Sequence, residues 1–189
     1  MTQEVARCQA AIERAASGAV VALVSSGDPG IYGMAGLAIE LAARLAPDLP
    51  VEVVPGVSSA MAAAARLGAP LMLDFAAISL SDLLVPWASI RQRLEAVAAA
   101  DLVVALYNPR SRKRVRQLEE TVAIFLSHRP PSTPAGIATA LGCEEEHVQI
   151  TTLGRLLEGE IGMRSTVIVG NRSSERLGRW FVTPRGYGV

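Results

Sequence analysis

At 189 residues the chain suits one domain or two small ones, and half of its residues are hydrophobic, ample for a core. Aromatic residues make up only 4%, so that core is expected to be aliphatic. Eighteen basic and eighteen acidic residues cancel, so no global field argues for nucleic acid or a membrane surface as a partner. Cys8 and Cys143 are far apart and lack metal-ligand spacing, which reads as a reducing compartment, no disulfide framework and no metal site. No apolar run reaches membrane-spanning length and no charged-then-apolar leader opens the chain, so the cytoplasm is the expected location.

In chain order, residues 3–17 carry Val5, Cys8, Ile12 and Ala15 at helical spacing, with Gly18 as a natural stop. The apolar run 20–24 reads as a buried strand. The turn Ser25-Ser26-Gly27-Asp28-Pro29-Gly30-Ile31-Tyr32-Gly33 follows, and a helix from about 34 to 45 ends before Pro47. Residues 51–54 read as a short strand closed by Pro55 and Gly56, after which Ser58 or Ser59 can cap a helix to about Ala65. Strand, helix, strand, helix with short connections is the signature of a parallel, doubly wound sheet.

Gly68, Ala69 and Pro70 break that pattern. A strand is expected at 75–80 and a linker at 81–86, which divides the chain into lobes 1–80 and 87–189. A helix at 87–100 and an apolar strand at 102–107 come next, stopped by Asn108 and Pro109. Residues 112–127 place Val115, Leu118, Val122 and Phe125 on one helical stripe. Strands are expected at 135–139, 148–152 and 165–170, with a helical segment at 153–157 and a last short strand at 180–182.

A Gly-rich turn between a strand and a helix exposes backbone N–H groups and lets a ligand approach the main chain. Asp28 makes this turn unlike a phosphate cradle, because a carboxylate repels phosphate but accepts from hydroxyls or attracts a cation. Asp-Pro-Gly is also ordinary turn chemistry, so a plain β-turn accounts for it equally well. The loops at 26–31, 55–60, 106–110, 138–142 and 163–166 all lie at ends of apolar strands, where open α/β sheets place ligands. None holds a nucleophile–base set. His128 and His147 sit in polar surroundings, and the Glu144-Glu145-Glu146 run reads as a solvated face. No catalytic residue is assigned.

The Ser25–Gly33 string resembles the Gly-Asp-Pro motif of the tetrapyrrole methyltransferases. Three further strings follow in the order and spacing of the precorrin-3B C(17)-methyltransferases. They are Val54-Pro55-Gly56-Val57-Ser58-Ser59-Ala60, Leu106-Tyr107-Asn108-Pro109-Arg110-Ser111 and Thr166-Val167-Ile168-Val169-Gly170-Asn171. The resemblance implies an α/β protein with the two-lobed tetrapyrrole methyltransferase fold and S-adenosylmethionine between the lobes as methyl donor. It implies methylation of precorrin-3B, a tetrapyrrole, at carbon 17 with ring contraction to precorrin-4, in cobalamin biosynthesis. Ser26, Gly27, Asp28 and Ile31 would contact the cofactor, Ser58 and Ser59 would line the same pocket, Asn108 would sit by the adenosine and Leu141 by the adenine. Thr166 would supply a hydroxyl at the adenine side. Ser58 as a helix cap and Thr166 as a strand residue are the plainer alternatives.

The family opens with a strand and a Gly-x-Gly-Pro-Gly loop, neither of which occurs here. The first lobe is therefore expected to lack its first strands. That absence leaves open a non-catalytic cofactor-binding chain, beside a tetrapyrrole methyltransferase acting at another carbon. An uncovered apolar edge at 20–24 then predicts a homodimer or larger assembly. The substrate carries many carboxylates, so Arg110, Arg112, Lys113, Arg114 and Arg116 form either a receptor for them or a solvated helix face.

Overall fold

A computed structural model describes residues 3–188 and divides the chain into two compact units, residues 1–58 and 59–189. In the first unit, helix α1 (Glu4–Ala16) packs on α2 (Ala35–Leu45). Cys8 and Ile12 of α1 and Ala42 of α2 are buried. The runs 20–24 and 51–54, expected as strands, belong to no strand. Apolar β-branched residues give a segment the propensity to be a strand, but a strand exists only through a paired neighbour. Among the described residues neither run has one, and Val20, Val24, Val51 and Val53 stay exposed. The two runs and the helices line an apolar trough of about 850 Å³.

The second unit is built on a five-stranded sheet of order β2-β3-β6-β4-β5. Its strands are β2 (Phe75–Ser79), β3 (Val103–Tyr107), β4 (Pro134–Thr139), β5 (His147–Thr152) and β6 (Ser165–Val169). Only β2 and β3 are parallel, joined through helix α4 (Trp87–Ala99). The other pairs are antiparallel, so this sheet is mixed; the parallel, doubly wound sheet expected from the runs 20–24 and 51–54 does not form among the described residues, because those runs are not strands. The segment 81–86, expected as the linker between lobes, lies inside this unit. It cannot act as a lobe boundary here, because β2 before it hydrogen-bonds to β3 beyond it.

Alternation along β3 explains the layers. Val104 and Leu106 face α4, helix α5 (Arg116–Leu126) and a 3-10 helix at Leu153–Glu158. Val103, Ala105 and Tyr107 face helix α3 (Ser59–Leu67). A strand covered on both faces has no polar side to show, hence the unbroken apolar run. Helix α3 lies so close that a Cβ at Gly136 would come within 2.4 Å of Leu67 Cδ1. A small sheet completes the unit: β1 (Gly68–Ala69) pairs with β8 (Trp180–Val182), which pairs with β7 (Glu175–Leu177). Helix α5 starts at Arg116 rather than 112 because Ser111 closes a turn first, its Oγ accepting from Arg114 N–H at 3.0 Å.

At one end of the main sheet sits Arg129, whose side chain is fully buried. It donates to the carbonyls of Leu102 (2.6 Å), Val97 (3.4 Å) and Gly170. It lies 3.5 Å from Asp101 Oδ1, with its guanidinium over the Phe125 ring at 4.6 Å. Burial pushes its pKa down to about 10, partly opposed by Asp101. Removing one partner of a buried ionic cluster costs about 3–5 kcal/mol, since the groups left behind stay desolvated. Arg129→Leu is therefore expected to destabilise the second unit by about that much. Urea unfolding of wild type and variant measures it, and a loss within error of zero would show that the guanidinium ties nothing together.

Candidate functional site

The turn at 26–31 is held from within. Asp28 Oδ1 accepts from Gly30 N–H at 2.8 Å, and Oδ2 accepts from Gly56 N–H at 3.1 Å. These bonds, that to Gly56 first, hold the Asp28 carboxyl below its ordinary range. Asp28 is thus a clamp between the turn after 20–24 and the turn after 51–54, within the first unit. The two backbones approach so closely that a Cβ at Gly56 would lie 2.3 Å from Gly27 O. Gly27 itself adopts φ +75°, a left-handed conformation that a side chain would strain. The sequence leaves Asp28 open between a ligand contact and a turn residue, and in the structure each of its oxygens accepts from a backbone N–H. A distant partner such as Gly56 leaves no local signature. Ser26 and Ile31 are exposed on the same turn, and Ser58 is buried where the loop leaves Gly56.

In the second unit, the topology gathers four of the expected residues at one sheet end. Strands β2 and β3 are parallel and finish level, Ser79 opposite Tyr107. Strand β6 runs antiparallel between β3 and β4, so its first residues lie beside the last residues of both. Thr166 pairs with Ala138 there and donates its Oγ1–H to Ser59 Oγ at 3.0 Å. Asn108, directly after β3, has φ +49°, and its Nδ2 donates to Ser79 Oγ at 3.0 Å. Leu141 follows Ala140, which has φ +52° directly after β4. Left-handed backbone in non-glycine residues is strained and persists where surroundings over-determine it.

Those surroundings include residues that the sequence placed in other roles, Arg114 in a basic cluster, Glu146 in an acidic run and Tyr107 at the end of a strand. Arg114, only 10% exposed, donates from Nη1 to Asn108 O at 2.6 Å and to Leu80 O at 3.0 Å. Burial lowers its pKa, and Asp82 at 4.0 Å opposes the shift. Glu146 accepts from Gly142 N–H at 2.8 Å and from Arg66 Nε at 2.6 Å, and both contacts hold its carboxyl below the ordinary range, the Gly142 bond first. This latch ties the Leu141 loop to α3. Tyr107 Oη accepts from Ala60 N–H at 3.2 Å, satisfying a donor in the first turn of α3. A tyrosine ending an otherwise aliphatic strand was the available signal, since a buried hydroxyl needs a partner. The Glu144–Glu146 run is thus not all solvated face: Glu146 is turned to the loop and Glu145 lies 3.4 Å from Arg164.

The family of Tetrapyrrole (Corrin/Porphyrin) Methylases matches residues 2–157. The chain belongs to that family. It is 46% identical over 187 residues to the probable cobalt-factor III C(17)-methyltransferase of Salmonella typhimurium, covering 99% of this chain and 78% of that protein. It is 40% identical over 193 residues to the precorrin-3B C(17)-methyltransferase of a Sinorhizobium species, covering 98% and 76%. The crystal structure of the methyltransferase CobJ superposes with a TM-score of 0.88 at 37% identity, covering 96% of this chain and 77% of that one. The chain spans from 35% to 78% of the length of the curated relatives it matches.

Because Asp28 holds two loops together by its charge, Asp28→Ala is expected to lower the melting temperature, with Asp28→Asn between. The carboxyl is depressed in the folded chain, so its contribution is full above the ordinary carboxylate range, about pH 4, and lost as pH falls through the lowered value. Calorimetry and melting curves at pH 7 and through the acid range test both. An unchanged melting temperature in Asp28→Ala would remove the clamp.

Proposed function

We propose that the chain is a methyltransferase that moves a methyl group from S-adenosylmethionine to carbon 17 of precorrin-3B, or of its cobalt-containing counterpart cobalt-factor III, with ring contraction. The observation that carries this reading is the 46% identity, over 99% of the chain, to a relative named for methylation at that carbon.

The donor set fits the cofactor. The turns at 25–33 and 54–60 carry one charge, that of Asp28, and otherwise offer hydroxyls and backbone. That suits a cationic ligand with hydroxyls, and it suits a phosphate poorly. In this reading Ser26, Gly27 and Ile31 hold the cofactor by backbone, with Ser58 and Ser59 beside them. Asp28 shapes the turn and supplies negative potential. Asn108, Leu141 and Thr166 take the adenosine. Bound S-adenosylmethionine supplies the electrophilic methyl group. The residues then have to orient it and exclude water, and positioning of that kind is worth about 7–11 kcal/mol. The methyl transfer itself, to an electron-rich tetrapyrrole carbon, calls chiefly for positioning.

Two features suit a cytoplasmic homodimer. Cys8 and Cys143 are both free thiols. The exposed valines at 20, 24, 51, 53, 54 and 57 form apolar surface of the kind that association covers. No described helix is long and apolar enough to cross a membrane.

Incubating the chain with labelled S-adenosylmethionine and either precorrin-3B or cobalt-factor III is expected to place one label at carbon 17. Label at another carbon, or binding of S-adenosylhomocysteine with no turnover on either substrate, would sink the reading. Light scattering at micromolar concentration is expected to give a dimer mass, and a clean monomer would dispose of the assembly.

A further inference from the structure

The sequence groups five basic residues at 110–116, and the structure separates them by job. Arg114 is turned inward onto the Leu80 and Asn108 carbonyls. Arg116 pairs with Glu120 one turn along α5, at 3.1 Å. Arg110, Arg112 and Lys113 remain, and among the described residues none has an ion-pair partner; Arg112 and Lys113 are exposed and Arg110 half-buried.

From this we infer that Arg110, Arg112 and Lys113 form the receptor for the carboxylates of an anionic substrate, a reading that rests on the polycarboxylate tetrapyrrole proposed above. Three observations carry it. The cations lie on the loop that leaves β3 beside Asn108, at the sheet end that gathers Thr166 and Leu141. The loop is fixed at both ends rather than swinging freely. Its start is held by the left-handed Asn108 and its carbonyl bond to Arg114, and its finish by the paired bonds Ser111 N–H to Arg114 O and Arg114 N–H to Ser111 Oγ, both 3.0 Å. Finally, the loop feeds directly into the first turn of α5, which has no side-chain cap, so the N–H groups at that end add to the positive potential.

A solvated helix face predicts a different pattern. Exposed helical cations pair with acids three or four residues away, as Arg116 does with Glu120 and Arg91 with Glu95. Arg110, Arg112 and Lys113 precede the helix and have no such acids. Unpaired charges on an anchored loop lose little freedom when an anion binds, so their attraction is not spent on ordering the loop. Guanidinium groups also take carboxylates in two-pronged fashion.

The test uses uroporphyrin, a stable tetrapyrrole with eight carboxylates, beside coproporphyrin, which has four. Binding is followed by porphyrin fluorescence, and S-adenosylhomocysteine binding by calorimetry. The unaltered chain is expected to bind uroporphyrin more tightly than coproporphyrin and less tightly as salt rises. In the triple variant Arg110→Gln, Arg112→Gln, Lys113→Gln, uroporphyrin affinity should fall at least about tenfold and the salt dependence should flatten. S-adenosylhomocysteine affinity and the melting temperature should hold. Equal uroporphyrin affinity in variant and unaltered chain would overturn the inference, as would no uroporphyrin binding or no preference for the eight-carboxylate probe. Failure of the unaltered chain to bind S-adenosylhomocysteine would instead count against the methyltransferase reading, and the porphyrin result would stand separately.

Discussion

One buried guanidinium fixes the frame on which the second unit is built. Arg129 takes carbonyls from the end of α4, the approach to β3 and the residue after β6, and it closes over a ring of α5. Burying a charge is costly, so these groups must stay in place to satisfy it. Gly170 N–H also donates to Pro134 O at 2.9 Å, which brings the start of β4 to the same point. Asn171 adds a bond from Nδ2 to Asp101 O at 3.1 Å. With β3, β6 and β4 fastened at this end, the ladder spacing of a sheet dictates how they align at the other. Asn108, Ala140 and Thr166 are neighbours there because their strands are locked some five residues away.

The far end holds strain that the near end makes tolerable. Asn108 and Ala140 both sit in left-handed backbone without being glycine. Each is held by hydrogen bonds on its own main chain: Asn108 O accepts from Arg114, and Ala140 N–H donates to Arg164 O. Strained turns at strand ends present side chains and carbonyls in directions that regular structure does not offer. The arrangement uses the same residue type in two ways. Arg129 and Arg114 work inside as donors to carbonyls, and Arg112 stays exposed with no ion-pair partner among the described residues.

Periodicity made most of the helices legible, and continuous apolar runs did the same for β3, β4 and β6. Helices α1, α2, α3 and α4 form where their apolar spacing and stops predict, because those signals are local. Strand direction was not legible. The runs 135–139 and 165–170 look alike in composition whether parallel or antiparallel, and only the tertiary pairing decides. The runs 20–24 and 51–54 show the limit most clearly, since their composition matches that of β3 while their surroundings supply no ladder. The expected break at 81–86 misled for a related reason. Polar and Pro-containing composition marks a turn between elements but does not report whether those elements share a sheet.

The candidate site was legible as strings and illegible as contacts. Glycine-rich turns and strand-end residues can be read off one by one, because each advertises its own backbone. The bonds that give those turns their shape join residues far apart: Asp28 to Gly56, Ser59 to Thr166, Arg66 to Glu146. This changes what Asp28 contributes. A carboxylate that accepts two backbone N–H groups keeps its full negative charge, since both bonds favour the ionised form. It can therefore set a turn and hold an electrostatic potential at once. A turn with a fixed anion suits a cationic methyl donor, and a loop with unpaired cations suits a polyanionic acceptor.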